Sequence, residues 1–526
     1  MNQTPTQEEN TQMLKTAEKE KVEYDSGEML EHLNDAGSGD SKKGRYLSNP
    51  DYRQKFLQTV WLAWSFTFLG WVFGQSGPSF LDIVYLTNTD IEKGSAYNTA
   101  GFVGFLIGAL LSGFLFDRFN RHFLLFTVIF LCAVVVAIIP WCFLYEAMIA
   151  AQTLVGLFRG ALDAMGNAQL LVVWGSENGP YMQAIHFTFG IGGIMSPLIT
   201  APFLMPRSDE DKMAVNTSYD KYIADDINKV FKETYKSTLH ITNASMTFGN
   251  TTEHKTSQKS QLYIAYFITS ALGISSAIPF LLLCIKTRHK QKKKSDDKSN
   301  TNFNYRKITK CMKLLALSNM MGILGVFGVV EGTVVQYLST FCVTYLGWSK
   351  ANSSLIVSIY WILFALGRFC GIFLIKFINY VKIITSFCGF LIADVAVLLV
   401  CAIYMFDIGI WICAPLTGFG LSIMFPVVFT WTEAELFPVT GKISSLFLIG
   451  ASSLRIVNPL LLGYLMREET PMYFSYLLLG YSVVLLLLCI SAMLVSKKIN
   501  RGLEGHTYKD REIVIPPNTD KDFELN

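Results

Sequence analysis

Apolar stretches of about 20 residues or more alternate with short polar breaks along almost the whole chain between Phe56 and Val495. About 20 helical residues cross the roughly 30 Å hydrocarbon core of a bilayer. The pattern therefore predicts twelve membrane helices, over 56–83, 95–116, 123–145, 147–174, 179–205, 261–286, 312–338, 351–375, 382–405, 408–432, 440–465 and 472–495. A polar break after the sixth divides them six and six. The expected fold class is an all-α membrane protein with two six-helix bundles, the plan of carriers built from repeated halves. Its layout is a disordered cytosolic tail over 1–55 and a first bundle over 56–286 that includes a polar loop at 206–260. A basic linker follows at 287–311, then a second bundle over 312–495 and a tail over 496–526.

Composition agrees with the pattern. Of 526 residues, 51% are hydrophobic and only 16% charged, with a mean hydropathy of +0.36, whereas a soluble chain is about a quarter charged. Residues 1–55 lack an apolar core and so read as neither signal peptide nor span, leaving insertion to the first helix. Arg118 and Arg121, the run "KTRHKQKKKSDDK" in the linker, and Lys497, Lys498 and Arg501 in the tail all fall on one side of the twelve-span layout. By the positive-inside rule that side, with both termini, is cytosolic. The basic run reads as a membrane-flanking charge cluster rather than a nucleic-acid patch. The 206–260 loop then faces outward and carries three sequons, at Asn216, Asn243 and Asn250, read as glycosylation sites. The expected location is the plasma membrane. Most of the ten cysteines lie inside the spans, so no disulfide framework follows.

No phosphate-binding glycine loop, zinc spacing or nucleophile elbow is present, and no segment is large enough for a soluble nucleotide domain. The sequence thus argues against an enzyme, a bound cofactor and a resident metal. Work done by such a chain must come from existing gradients. The fourth stretch, "RGALDAMGNA" at 159–168, is where chemistry enters. On a helix Arg159, Asp163 and Asn167 share one face, and a charge at that depth costs at least about 2.5–3.5 kcal/mol on insertion scales. The face should meet protein or water. Two readings stay open: a buried Arg159–Asp163 pair that locks packing, or the wall of a polar cavity. The fifth stretch, "MQAIHFTFGIGGIMSP", adds Gln183 and His186 on one face, then glycines suited to close helix approach and Pro197, able to interrupt a helix.

"GFLFDRFNRH" at 113–122 resembles the major facilitator signature G-x-x-x-D-R-x-G-R-K, with Gly113, Asp117, Arg118 and Arg121 matching and Asn120 and His122 departing. The second half keeps only Gly371 and Lys376, with Ile375 in place of the aspartate. "GALDAMGN", "MQAIHFTFGIGGIMSP", "FGVVEGTVVQY" and "PVTGKISSLFLIGAS" resemble patterns of the branch that contains fucose permease and the animal sodium-dependent glucose transporters. This resemblance covers residues 56–495. It implies alternating access, with Gly113, Asp117, Arg118 and Arg121 as a gating latch between the halves.

The resemblance further implies a hexose symporter, with sodium as co-substrate. Asp163 and Glu331, which match its motifs, would couple the ion, and Asn167, Gln183 and His186 would bind the sugar; by the pattern of the spans themselves, Arg159 joins the first set and Gln336, Gln75 and Trp361 the second. A single copy of the chain, lipid around it and a small-molecule substrate are the expected partners. One departure matters: the first helix, "FGQSGPSF", lacks the second carboxylate of fucose permease, which disfavours a two-carboxylate proton relay. One carboxylate with neutral oxygens still suits a hard cation. A proton-coupled or facilitative carrier of another polar solute, or a non-transporting receptor or scaffold, remain as alternatives. Arg368, Glu433 and Glu435 read as gate or packing charges, Arg455 and Asn458 as open between cavity and core, and Trp64 and Trp71, like Trp361, as candidate stacking platforms.

Overall fold

The computed structural model describes residues 50–175, 179–205, 260–287, 309–437 and 441–512. It divides into a small unit ending at Val60, of which the first turns of a helix are described, and a large unit from Trp61 onward. The described residues form thirteen α-helices: α1 (Pro50–Leu86), α2 (Ile91–Arg118), α3 (Arg121–Ile138), α4 (Tyr145–Trp174), α5 (Gly179–Thr200), α6 (Leu262–Thr287), α7 (Lys310–Thr344), α8 (Lys350–Phe377), α9 (Tyr380–Ile403), α10 (Asp407–Leu421), α11 (Met424–Trp431), α12 (Gly441–Glu468) and α13 (Tyr473–Glu512). The helices match the twelve apolar stretches, with α10 and α11 sharing the tenth. That span breaks at Ser422 and Ile423 and closes in a π-helical turn, Thr432–Leu436, that carries Glu433 and Glu435.

Eleven of these spans are long and apolar enough to cross a bilayer. The exception is α4, the helix of Arg159 and Asp163. Its 30 residues suffice in length, but its polar face lowers its apolar content below that of its neighbours. A helix of that kind needs protein or water on its polar side.

Short polar caps set the boundaries. Asp90 accepts from the Lys93 N–H at 2.8 Å, Asn120 from His122 and Phe123, and Ser349 from Asn352, which satisfies amides the first helical turn leaves free. Pro197 does not interrupt α5, which runs on to Thr200 before a 3₁₀ turn. Packed neighbours make the lost backbone bond tolerable in such helices.

In the first bundle α2 packs on α4 and α3 on α6; in the second, α7 packs on α12 and α13 and α8 on α10. The bundles meet where α2 packs on α12 and α5 on α8, and where α1 reaches α7 at Gly77. Below, the far end is where α1 finishes and α2 begins, and the near end is where α2 finishes and α3 begins.

Candidate solute cavity and its gates

Small residues hold α4 against α2. A Cβ on Gly108 would lie 1.9 Å from the Leu157 carbonyl oxygen, and one on Gly160 2.0 Å from that of Phe105. No other residue allows this backbone approach. It fixes the rotation of α4 and so aims one face, with Arg159, Asp163 and Asn167 all half-buried.

The two charges on that face do not pair. Asn167 Nδ2 donates to an Asp163 carboxylate oxygen at 3.2 Å and to the Asp163 backbone carbonyl at 3.0 Å. The Arg159 guanidinium lies over the Phe73 ring, 4.9 Å from its centroid, a cation–π contact. Among the described residues it has no hydrogen bond or ion pair, and its Nε is buried. Asn167 Oδ1 is a buried acceptor with no donor among the described residues. Asp163 and Asn167 thus present oxygen atoms of the kind a hard cation prefers.

Phe66 of α1 joins this face to α5. Its ring meets Gly166 of α4, where a Cβ would come within 2.4 Å, and stands edge-on to His186 at 5.5 Å. His186 is half-buried and Gln183, one turn nearer the near end, is exposed. Farther in, Phe73 of α1, Phe189 of α5 and Trp361 of α8 form an aromatic layer across both bundles, with centroids 5.7 to 6.2 Å apart. Trp361 is fully buried there, against Gly193.

Other sequence-derived candidates lie elsewhere. Gln75 links α1, α5 and α6: its Nε2 donates to Thr200 at 3.3 Å and its Oε1 accepts from Thr269 at 2.8 Å. Gln336 is buried on α7 where that backbone meets Gly77 of α1. Glu331 is buried and ion-paired with Arg455 of α12, whose Nε also donates to the Gly328 carbonyl at 2.8 Å. Asn458 donates to Thr333 and accepts from Tyr481, both at 2.9 Å. Arg368 lies 4.5 Å over the Phe364 ring, and Glu435 accepts from Trp431 and Ser496. Trp64 is exposed and donates to Ser275, whereas the Trp71 indole nitrogen is buried without an acceptor.

The signature residues sit at the near end, around the α2–α3 turn. Gly113 has open space around it, Arg118 lies over Phe114 at 5.6 Å and Arg121 over Phe116 at 4.9 Å. The Asp117 side chain is outside the described residues, as are Asn216, Asn243 and Asn250.

At the far end, polar bridges that sequence reading missed join the bundles. Lys350, at the start of α8, donates to Asp82 of α1 at 2.6 Å, and Asp82 also accepts from the Met205 N–H at 2.9 Å. Arg467 of α12 reaches Asp90 and Glu92 at the start of α2, each at 2.9 Å. Thr99 donates to the Ile456 carbonyl at 2.9 Å, and Ser95 leaves no room for a Cβ on Gly463. The far end is shut. Along their helices Asp163 and Asn167 lie nearer the near end than Arg159, and Gln183 and His186 nearer it than Phe189 of the aromatic layer.

No family model matches the chain. "Sodium-dependent glucose transporter 1" of Danio rerio is 26% identical over 415 residues, which are 78% of this chain and 65% of that protein, just under two thirds of its length. "Major facilitator superfamily domain-containing protein 4A" of Mus musculus is 31% identical over 151 residues, 28% of this chain and 29% of that protein. A crystal structure of a bacterial homolog of the human lysosomal transporter Spinster, inward-facing and occupied, superposes with a TM-score of 0.57 at 12% identity. It covers 86% of this chain and 98% of that one. The chain is a multi-pass membrane protein with the major facilitator fold.

Proposed function

We propose that the protein is a secondary carrier of a hexose-like sugar, driven by sodium through alternating access. The carrying observation is the α4 face, where Asp163 meets an amide rather than a cation and Asn167 Oδ1 has no donor. A carboxylate and a neutral oxygen on one half-buried face make a cation site of hard ligands. His186 and Gln183 alongside supply donors and acceptors for sugar hydroxyls. The relatives' printed name, sodium-dependent glucose transporter, supports the same reading. Placement in the plasma membrane with both termini cytosolic, a glycosylated 206–260 loop and action as a single copy belong to the proposal.

The test is uptake of labelled hexoses into proteoliposomes under an inward sodium gradient, an inward proton gradient, or none. Sodium-driven accumulation above the external concentration is expected. Accumulation driven by protons alone would replace the ion. Equilibration without accumulation under every gradient would reduce the carrier to a facilitator, and failure to carry any hexose would remove the substrate class.

A further inference from the structure

A small pocket lies inside the first bundle and shares only Arg159 with the face just described. Its lining on α1 runs from Val72 to Ile83, toward the far end; Asn98 of α2 and Tyr266 of α6 also line it, and Arg159 is its innermost residue on α4. Two of its donors, Arg159 Nε and Asn98 Nδ2, are buried and have no acceptor among the described residues. Among its other polar groups, Gln75 is engaged at both amide atoms, Ser76 with the Phe73 carbonyl at 2.7 Å and Tyr97 with Thr87 at 2.9 Å, while Gln152 donates only to the Met148 sulfur at 3.9 Å. No carboxylate lines it. The charges that act on Arg159 are Asp163, turned to Asn167 one helical turn away, and Arg455 across the bundle seam, itself tied to Glu331; Asp82, beside the lining residue Ile83, is already paired with Lys350.

The room is that of about two waters, too little for a hexose. A guanidinium removed from water needs both hydrogen bonds and a compensating charge. Water supplies only the first, and a cation is repelled. A small monovalent anion supplies both, accepting from the Arg159 fork and the Asn98 amide. We propose that this pocket binds such an anion, either a free halide or the carboxylate of a carried solute. An anion here also neutralises Arg159, leaving the Asp163 charge to a cation. The assignment rests on the pocket and not on the sugar reading.

The test is equilibrium binding of radiolabelled chloride to the full-length protein in nanodiscs at constant ionic strength with gluconate, with acetate as competitor. Saturable chloride binding is expected if a halide is the occupant. Saturable acetate binding without chloride binding assigns the pocket to a solute carboxylate. Saturable binding of neither overturns the proposal. Arg159→Gln should abolish binding, and Asn98→Ala should weaken it about tenfold, the loss of one hydrogen bond to a charge. Should Arg159→Gln fail to reach the membrane folded, Arg159→Lys, which keeps the charge but loses the planar fork, is read instead. Affinity unchanged in both the Arg159 and Asn98 variants would place any bound anion elsewhere and overturn the assignment.

Discussion

Each bundle sets an arginine near a carboxylate at its centre, and the two sets are wired differently. In the second bundle Arg455 of α12 holds Glu331 of α7 and the Gly328 carbonyl together. In the first, Arg159 lies on Phe73 and Asp163 on Asn167, though one turn of α4 separates them. A carboxylate already neutralised by a buried guanidinium has little left to offer a carried ion. One held only by an amide keeps its charge for such a partner. Under the proposed function, the first bundle's acidic group is the freer of the two to meet a carried ion, and the second bundle's pair is the one whose loss should cost stability.

The largest effect expected from this contrast is on Glu331. Glu331→Gln leaves Arg455 buried without its counter-charge, a loss of about 3–5 kcal/mol by analogy with broken buried pairs. The variant should yield little monodisperse protein by fluorescence-detected size exclusion. Arg455→Met combined with Glu331→Leu, which removes both charges, should recover much of the yield. A single variant that melts like the parent would erase the contrast between the bundles.

Asp163→Asn should behave oppositely. The amide keeps a hydrogen bond with Asn167, so thermal stability should fall by less than about 1 kcal/mol, while accumulation against a gradient is lost and exchange persists. Arg159→Gln with Asp163→Asn should likewise fold and likewise fail to concentrate its substrate. Full recovery of gradient-driven uptake in that double variant would mean that Asp163 serves only to neutralise Arg159.

Much of the fold was legible because bilayer thickness leaves a periodic trace: the twelve apolar stretches each hold a helical span, most of them to within a few residues, although α3 stops at Ile138, short of the expected 145, and α13 runs on to Glu512, well past the expected end at Val495 and into the expected tail. The polar face of α4 was legible for the same reason, since i, i+4, i+8 spacing fixes a shared face whatever surrounds it. Partnership was not. Whether Arg159 meets Asp163 depends on rotamers set by Phe73 and Asn167, and Phe73 lies on a different helix. Gln75 and Trp361 are polar or amphipathic at cavity depth in the sequence, yet one bridges three helices and the other is buried in an aromatic layer. The far-end gate had a signal that went unread: Asp82, Asp90, Lys350 and Arg467 stand at the ends of spans one, two, eight and eleven, with opposite signs on the two bundles.

That gate allows the contrast to be sharpened from the other direction. Lys350→Gln removes the cation from a fully buried carboxylate, so the far-closed arrangement should lose population, by tenfold for each roughly 1.4 kcal/mol of lost differential stability. A cysteine at Ser95, in a background cleared of reactive native cysteines, should then react faster with an impermeant maleimide supplied from the far side. An unchanged rate would show that Asp82–Lys350 forms equally well in every state and gates nothing.

The smallest effect belongs to Arg467. Its bridges to Asp90 and Glu92 have the same length, 2.9 Å, but the guanidinium is 43% exposed, where the Lys350 and Asp82 side chains are 14% and 0% exposed. Water and salt screen the exposed pair, so it contributes at most about 1 kcal/mol. Arg467→Gln should raise the far-side labelling rate only a few-fold, and the difference from the parent should shrink as salt increases. The Lys350→Gln effect should be nearly independent of salt, because ions do not reach the buried pair. Equal salt dependence in the two variants would contradict the placement of Asp82 and Lys350 in the closed core of the gate and would put both bridges at the surface.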